Sequence, residues 1–180
     1  MLIIPAKDPL GVEVVAAIRA GDVVSLQRLL DGHPGLATAE IGDTRDCNGV
    51  PRSLLHVATD WPGHFPNAPA TVAALIAAGA DVNARCTGPH TETPLHWAAS
   101  SDDVAVLDAL LDAGADIEAV GAVIGGGTPL ADAVAFGQWR AARLLVERGA
   151  RTTLWQAAAL GLMDRVEKHF ATDNPSTLSS

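Results

Sequence analysis

Three stretches of this 180-residue sequence carry side chains whose types and spacing could support chemistry. In the first, His56, Asp60 and His64 recur at four-residue intervals, which on a continuous helix would place them on one face as metal ligands. Pro62 and Gly63 interrupt any helix before the second histidine, and the sequence places no further committed ligand nearby. We therefore predict that the chain binds no metal ion and needs no cofactor.

The other two stretches are better explained by helix ends and turns. The run from Ser100 to Asp103 sets hydroxyls beside carboxylates, but Ser and Asp at a helix junction are also what an N-cap requires. Three glycines precede Thr128 in the manner of a phosphate-binding loop, yet no strand comes before them and no Lys opens the helix. The residues therefore predict a protein that is not an enzyme.

The composition of the chain narrows the classes of partner and compartment. Hydrophobic residues make up 48% and aromatic residues only 4%, with Ala, Leu and Val dominant, which favours helices. A net charge of -9, spread along the chain, would repel a nucleic-acid backbone, so we expect no nucleic-acid partner. Cys47 and Cys86 are too few for a disulfide framework, and no apolar run approaches the roughly 20 residues of a membrane span. We expect a reduced, cytoplasmic protein without a membrane anchor.

The chain also repeats itself. The segments SLLH, TPLH and TPLA begin at Ser53, Thr93 and Thr128, which lie 40 and 35 residues apart. T-P-L-H-x-A and the downstream Gly-Ala-Asp resemble ankyrin repeats, whose period is 33 residues. The resemblance implies an all-α solenoid of about five helix-turn-helix repeats with finger loops. The predicted organisation is a single solenoid over 1–171, with repeats near 10–31, 53–81, 93–116, 128–151 and 152–171, followed by a polar tail at 172–180.

The repeats differ from one another at specific places. The first is degenerate, and we expect Leu2, Ile3 and Ile4 to fold over its open end, whereas residues 32–52 predict a loop with little regular structure. The second carries an insertion of five residues within the segment 61–69. No finger separates the fourth repeat from the fifth. The apolar face of that fifth repeat needs a cover, which would be the tail with a second copy of the protein, or further repeats of a longer chain. We predict a monomer, or a weak dimer through this exposed C-terminal repeat.

The resemblance assigns roles to three polar residues. In ankyrin repeats the motif histidine is a structural clamp that hydrogen-bonds the backbone between repeats, and His56 and His96 take this position. Asp132 occupies a place that is at least half buried in the family. Unless it is simply exposed, its charge needs a partner, either Arg140 or a backbone amide of a finger.

The four tryptophans divide by their position in the repeat. Trp97 and Trp139 fall on Leu-like positions of ankyrin repeats and are predicted to lie in the core. Trp155 takes the histidine position of the fifth repeat, and the sequence assigns it to neither the core nor the surface. Trp61 has no core position to fill.

Ankyrin proteins typically bind partners through a concave face made of the fingers, the first helices and the turns that follow them. The positions after each Ala-Ala pair, those before each motif and the 61–69 insertion supply the candidates. The predicted partner-binding residues are Arg52, Asp60, Trp61, His64, Phe65, Asn67, His90, Glu92, Ser100, Ser101 and Phe136. Trp61 and Phe65 would either anchor a partner or tuck onto the second repeat as local core.

We therefore expect a non-catalytic scaffold that binds another protein through its concave face and the 61–69 loop. The alternative is a small-molecule-binding or hydrolytic protein that uses the loop residues Asp60, His64 and His90. The sequence shows no assembled nucleophile, base and oxyanion site for that chemistry. Convergence of these three side chains on one pocket would favour the alternative.

Overall fold

A computed structural model describes residues 2–42, 51–87 and 89–173. Within these ranges the chain forms ten α-helices, one 3-10 helix and three two-residue strands. The helices are α1 (Pro9–Ala20), α2 (Val23–Gly32), α3 (Leu54–Ala58), α4 (Ala68–Ala77), α5 (Pro94–Ser100), α6 (Val104–Asp112), α7 (Pro129–Ala135), α8 (Trp139–Glu147), α9 (Leu154–Ala159) and α10 (Met163–Asp173). The 3-10 helix is Leu36–Thr38, and the strands are β1 (Ile3–Ile4), β2 (Glu40–Ile41) and β3 (Arg52–Ser53).

Consecutive helices pack in pairs, and the pairs stack along one direction. Each odd-numbered helix contacts the even-numbered helix that follows it. Helix α5 also contacts α3 and α7, and α6 contacts α4 and α8, so like helices lie beside like helices. This stacking makes an all-α solenoid, as the sequence predicts, in which each pair buries its apolar faces against its neighbours.

The core uses equivalent positions of successive pairs. One leucine in each of three first helices and one in each of three second helices is fully buried. These residues are Leu55, Leu95 and Leu130, followed by Leu75, Leu110 and Leu145. Each such burial contributes about 1.5–3 kcal/mol relative to an exposed side chain. These leucines therefore belong to one continuous core.

Local chemistry fixes where the helices begin and end. Pro94 and Pro129 occupy the first turn of α5 and α7, where no backbone N–H is needed. Gly114 follows α6 with φ 89°, a left-handed conformation that L side chains rarely adopt. Its N–H donates to the Leu111 carbonyl at 3.0 Å, which closes the helix and turns the chain toward the finger. The glycine of this Gly-Ala-Asp segment therefore ends the second helix of the repeat.

A small sheet lies at the N-terminal end of the solenoid. Strand β1 pairs in parallel with β2, and β2 pairs antiparallel with β3. Ile4 and Ile41 are buried in the core, whereas Leu2 and Ile3 are exposed. Of the three residues expected to cover the open end, only Ile4 is therefore buried.

The prediction of a loop with little regular structure over residues 32–52 is wrong in part. The 3-10 helix and strand β2 fall within this range, and strand β3 begins at its last residue. A two-residue strand is too short to leave an alternating pattern in the sequence, so only the long-range pairing reveals it. Residues 43–50, which include Cys47, lie outside the described part of the chain.

The C-terminal helix pair keeps apolar side chains in solvent. Leu154 and Trp155 in α9 and Met163 and Phe170 in α10 are all exposed. Only a short segment separates α8 from α9, so the finger is absent there as expected. The predicted covers of this apolar face, which are the tail with a second copy of the protein or further repeats, stay predictions. No helix among the described residues is long and apolar enough to cross a membrane.

Candidate functional site

Residues from three successive helix pairs line one cavity of about 230 Å³, which we call the aromatic cavity. Trp61 follows α3, Trp97 lies in α5, and Phe136 follows α7. The lining residues are Thr59, Asp60, Trp61, Glu92, Trp97, Ser100, Ser101, Val123 and Phe136. Because turns at equivalent positions of stacked pairs lie side by side, the predicted strip of turn residues becomes the wall of a single site.

The two outer aromatic walls are largely in solvent. Trp61 is 80% exposed and Phe136 is 48% exposed, which is unusual for large apolar side chains. Trp97 is half-buried between them and packs edge-on against the ring of His56, with ring centroids 4.9 Å apart. The prediction that Trp97 is a core residue is therefore right only for part of its surface.

Two arginines neutralise the carboxylate at one side of the cavity. Asp60 accepts hydrogen bonds from Arg52 at 2.9 Å and from Arg19 at 3.2 Å. The Arg52 guanidinium also lies over the Trp97 ring, with its Cζ atom 5.8 Å from the ring centroid. Arg52 borders the aromatic cavity without lining it, and a cation–aromatic contact is already part of the fold.

A second carboxylate, Glu92, meets the cavity from the finger that precedes α5. Its Oε2 atom accepts a hydrogen bond from the indole Nε1 of Trp97 at 3.2 Å. Among the described residues, no Lys, Arg or His side chain forms an ion pair with Glu92. Its negative charge is therefore available to the cavity.

Asp132 lies fully buried in α7, close to Glu92. Its Oδ1 atom accepts a hydrogen bond from the backbone N–H of Ile124, on the finger before α7, at 3.4 Å. Burial first, and then the negative charge of Glu92, raise the pKa of Asp132 to about 7. The expected partner is thus a finger amide and not Arg140, which is exposed. The Oδ2 atom of Asp132 is buried and accepts no hydrogen bond from the described residues. When this oxygen is protonated it can donate to Glu92, and it then has a hydrogen-bond partner.

The two motif histidines hold successive pairs together, as the resemblance implies. Nε2 of His56 donates to the carbonyl of Glu92 at 3.1 Å, and Nε2 of His96 donates to the carbonyl of Gly127 at 3.4 Å. Each Nδ1 contacts the hydroxyl that caps its own helix. Burial lowers the pKa of both histidines to about 4, so they are neutral at physiological pH. They act as structural clamps between the repeats.

The 61–69 insertion ties three helix pairs together. The backbone N–H of His64 donates to Oδ2 of Asp103 at 2.7 Å, and the side-chain Nε2 of His64 donates to the carbonyl of Ser101 at 3.1 Å. Asn67 donates from Nδ2 to the carbonyl of Gly21 at 3.0 Å. The two polar side chains predicted to face a partner are therefore already engaged within the fold.

The two aromatic residues of the insertion, Trp61 and Phe65, were predicted either to anchor a partner or to pack as local core, and their environments differ. Phe65 is half-buried and packs on the hydrophobic core, so it is local core. Trp61 projects into solvent beside the aromatic cavity. One aromatic residue of the insertion supports its structure, and the other is free to contact a partner.

The alternative function, a small-molecule-binding or hydrolytic protein, would use Asp60, His64 and His90. These three side chains do not line the same pocket. Asp60 lines the aromatic cavity, His64 binds the Ser101 carbonyl, and His90 is exposed on the finger after α4 without lining the cavity. Within residues 2–42, 51–87 and 89–173, no group of three or more His, Cys, Asp or Glu side chains could hold a metal ion. Asp103 caps α6 by accepting from the Val106 N–H, which confirms the cap interpretation of that run.

The prediction that Trp139 is a core residue is wrong, because this side chain is 47% exposed. It is the first residue of α8, and the buried face of that helix is formed by Ala141, Ala142 and Leu145. Repeat alignment gives the position along the chain, but a residue at the very start of a helix can lie off its buried stripe. Trp155 is exposed as well.

Three members of the site, Thr59, Trp97 and Val123, were not among the predicted partner-binding residues, and Trp97 was expected only in the core. Thr59 is the C-cap of α3 and is fully buried, so its hydroxyl bonds its own helix carbonyls. Val123 lies on the finger before α7 and is 43% exposed. Fingers differ from repeat to repeat in length and residue type, so no sequence signal placed Val123 opposite Phe136.

Stacked helix pairs, finger loops between them and buried histidine clamps across them define a helical repeat solenoid. A family model described as ankyrin repeats in three copies matches the chain over residues 14–121 and 55–154. The protein belongs to the ankyrin repeat family, whose members are generally protein–protein interaction modules and typically not catalysts. A comparison with curated protein sequences finds no significant match.

Proposed function

We propose that this protein is a non-catalytic scaffold that binds another protein through the aromatic cavity and the surface around it. The observation that supports the proposal is the pair of exposed aromatic side chains, Trp61 and Phe136, on either side of one cavity built by three helix pairs. Exposed aromatic residues beside a pocket are typical anchors of protein interfaces.

The surroundings of Trp61 also suit binding. His64 and Asn67 fix the insertion to the first and third helix pairs, so the loop that carries Trp61 is held before a partner arrives. A preorganised loop loses less conformational entropy on association than a mobile one. We assign these two residues to positioning the loop, and Trp61 to direct contact.

Polar groups surround the aromatic anchors and would form the rim of the interface. Arg52, Glu92, Ser100 and Ser101 lie in or beside the aromatic cavity, and His90 is exposed on the neighbouring finger. Polar rim groups at protein interfaces set orientation and exclude water more than they add affinity. We propose that these residues align the partner over the cavity.

Capture of a cross-linked partner from the source cell, followed by binding measurements with the purified partner, tests the proposal. Trp61→Ala and Phe136→Ala should each weaken binding at least about tenfold, because buried aromatic anchors carry about 2 kcal/mol or more. Trp139→Ala is a matched control, since it removes an equally exposed aromatic residue outside the cavity. Unchanged binding by both cavity variants, or an equal loss with Trp139→Ala, would contradict the proposal.

A further inference from the structure

The size of the aromatic cavity limits what can enter it. Pockets for small-molecule ligands measure roughly 300–1,000 Å³, and this cavity has about 230 Å³. It is open to solvent between Trp61 and Phe136, both exposed. The space therefore suits one side chain of a partner better than a cofactor or metabolite.

The walls of the cavity favour a positive charge. Trp61, Trp97 and Phe136 supply three aromatic rings, and the negative face of an aromatic ring attracts cations. The fold already uses this attraction, because the Arg52 guanidinium lies 5.8 Å from the centroid of the Trp97 ring. A guanidinium or ammonium group is thus compatible with the chemistry of this surface.

One of the two carboxylates at the cavity, Glu92, points to the same sign of ligand. Asp60 is neutralised by Arg19 and Arg52, so it does not require a further cation. Glu92 accepts from the indole N–H of Trp97 and can accept from the protonated carboxyl group of Asp132, but both donors are neutral, and Glu92 forms no ion pair within the described chain. A cation between the rings would supply the missing counter-charge, and the overall net charge of -9 would attract it over a longer range.

Asp132 adds a second acidic group behind Glu92. It is completely buried, and its Oδ2 atom accepts no hydrogen bond in the described structure. Two neighbouring carboxyl groups cannot both be charged at low cost without a cation nearby. Burial first, and then the negative charge of Glu92, raise the pKa of Asp132, so the charge of this pair resides on Glu92 when Asp132 holds its proton.

We propose that the aromatic cavity binds one lysine or arginine side chain from a basic segment of the partner protein, with the three rings facing the cation and Glu92 neutralising it. This inference rests on the proposed function. It adds the chemistry of the side chain that the cavity selects.

Small cations test the inference without the partner. The probes are n-butylammonium and n-butylguanidinium chloride, with 1-butanol as the neutral control, at constant ionic strength on the full-length ¹⁵N-labelled chain. Either cation should shift the indole N–H signals of Trp61 and Trp97, with saturation at roughly millimolar concentration and at least about tenfold tighter binding than 1-butanol. The indole signals of Trp139 and Trp155, which lie outside the cavity, should not move.

A charge substitution sharpens the test. Glu92→Gln keeps an oxygen that can accept from Trp97 and removes the negative charge, so it should weaken cation binding about tenfold. Glu118→Gln is the matched control, because Glu118 lies on the next finger, pairs with Arg151 and is not part of the cavity. Unfolding curves of both variants establish that each is folded under the conditions of the titration.

The outcomes separate the inference from the proposed function. Equal shifts with 1-butanol, or cation binding unchanged by Glu92→Gln, would overturn the inference even if the captured partner still depends on Trp61 and Phe136. Selective cation binding that Glu92→Gln weakens would support it. A partner whose binding ignores Trp61 and Phe136 would overturn the proposed function, and with it the role of the cavity in recognition, whatever the small cations do.

Discussion

Replacing the buried Asp132 by Asn should make the protein more stable at pH 8 than the wild type, and the advantage should shrink as the pH falls. Asn has nearly the same shape as a protonated Asp. It keeps an oxygen that can accept from the N–H of Ile124, and its amide can donate toward Glu92. The substitution therefore imitates the neutral form of the carboxyl group and removes its ionisation.

The magnitude follows from the shift in pKa. The pKa of Asp132 is about 7 in the folded protein, against an ordinary value of 3.8 for an unperturbed Asp. Between these values the folded chain holds a proton that the unfolded chain has lost, so the wild-type free energy of unfolding falls as the pH rises, by about 1.4 kcal/mol per pH unit. From pH 5 to pH 8 the variant should therefore gain about 3 kcal/mol over the wild type, and most of the gain should be complete near pH 7.

The buried histidines make the free energy of unfolding rise with pH, which is opposite to the effect of Asp132. The test therefore compares the wild type with the Asp132→Asn variant at each pH. The pKa of His56 and of His96 is lowered to about 4 from 6.5, and the unfolded chain binds more protons between these values. Their contribution to stability is therefore lost as the pH falls from 6.5 toward 4. This loss is present in both proteins and cancels in the difference between wild type and Asp132→Asn.

Urea unfolding at pH 5, 6, 7 and 8, followed by tryptophan fluorescence, measures this difference. Asp164→Asn is the control, since it makes the same chemical change at an exposed position of α10. Its stability difference from the wild type should be nearly independent of pH. If the curves for wild type and Asp132→Asn run parallel from pH 5 to pH 8, burial beside Glu92 does not perturb this carboxyl group as described, and the reasoning fails.

Two further predictions concern the clamps and the exposed end. His96→Ala should lower the free energy of unfolding by about 2–3 kcal/mol, because it leaves the Gly127 carbonyl without its donor and empties a buried site. The control is His33→Ala, at an exposed histidine. It should lower the free energy of unfolding by less than about 0.5 kcal/mol in the same urea titration. Sedimentation velocity should show a weak dimer at high concentration that Phe170→Ser abolishes and Val120→Ser, on a finger, leaves intact. A wild-type chain that stays monomeric throughout would count against an interface at α10.

Features that depend on neighbouring residues in the chain were predictable from the sequence. Helix α5 (Pro94–Ser100) opens the repeat predicted near 93–116, and a proline at its first turn and a threonine cap set its start within a few residues of each other. The roles of His56 and His96 followed from the motif in which they occur. Their partners lie at fixed positions on the next finger, so the repeat itself carries this information.

Features that depend on parts of the chain without a repeat equivalent could not be predicted. The contact of His64 with Asp103 joins residues 39 apart through an insertion that occurs in one repeat only. The sheet of β1, β2 and β3 pairs segments that are each two residues long. The sequence identified six of the nine residues of the aromatic cavity because they occupy recurring turn and motif positions, whereas Val123 required the actual path of a finger.

The absent finger between α8 and α9 has a consequence for how the molecule opens. The second and third pairs are each joined to the next finger by a histidine bond. The last pair instead reaches back through Arg165 and His169 to the carbonyls of Ala150 and Thr152 in the short connecting segment. These bonds anchor α10 to the connection and not to α7 or α8. In a linear array the weakest junction separates first. The solenoid should therefore fray from its C-terminal end, while the aromatic cavity, which the second, third and fourth helix pairs line, keeps its shape.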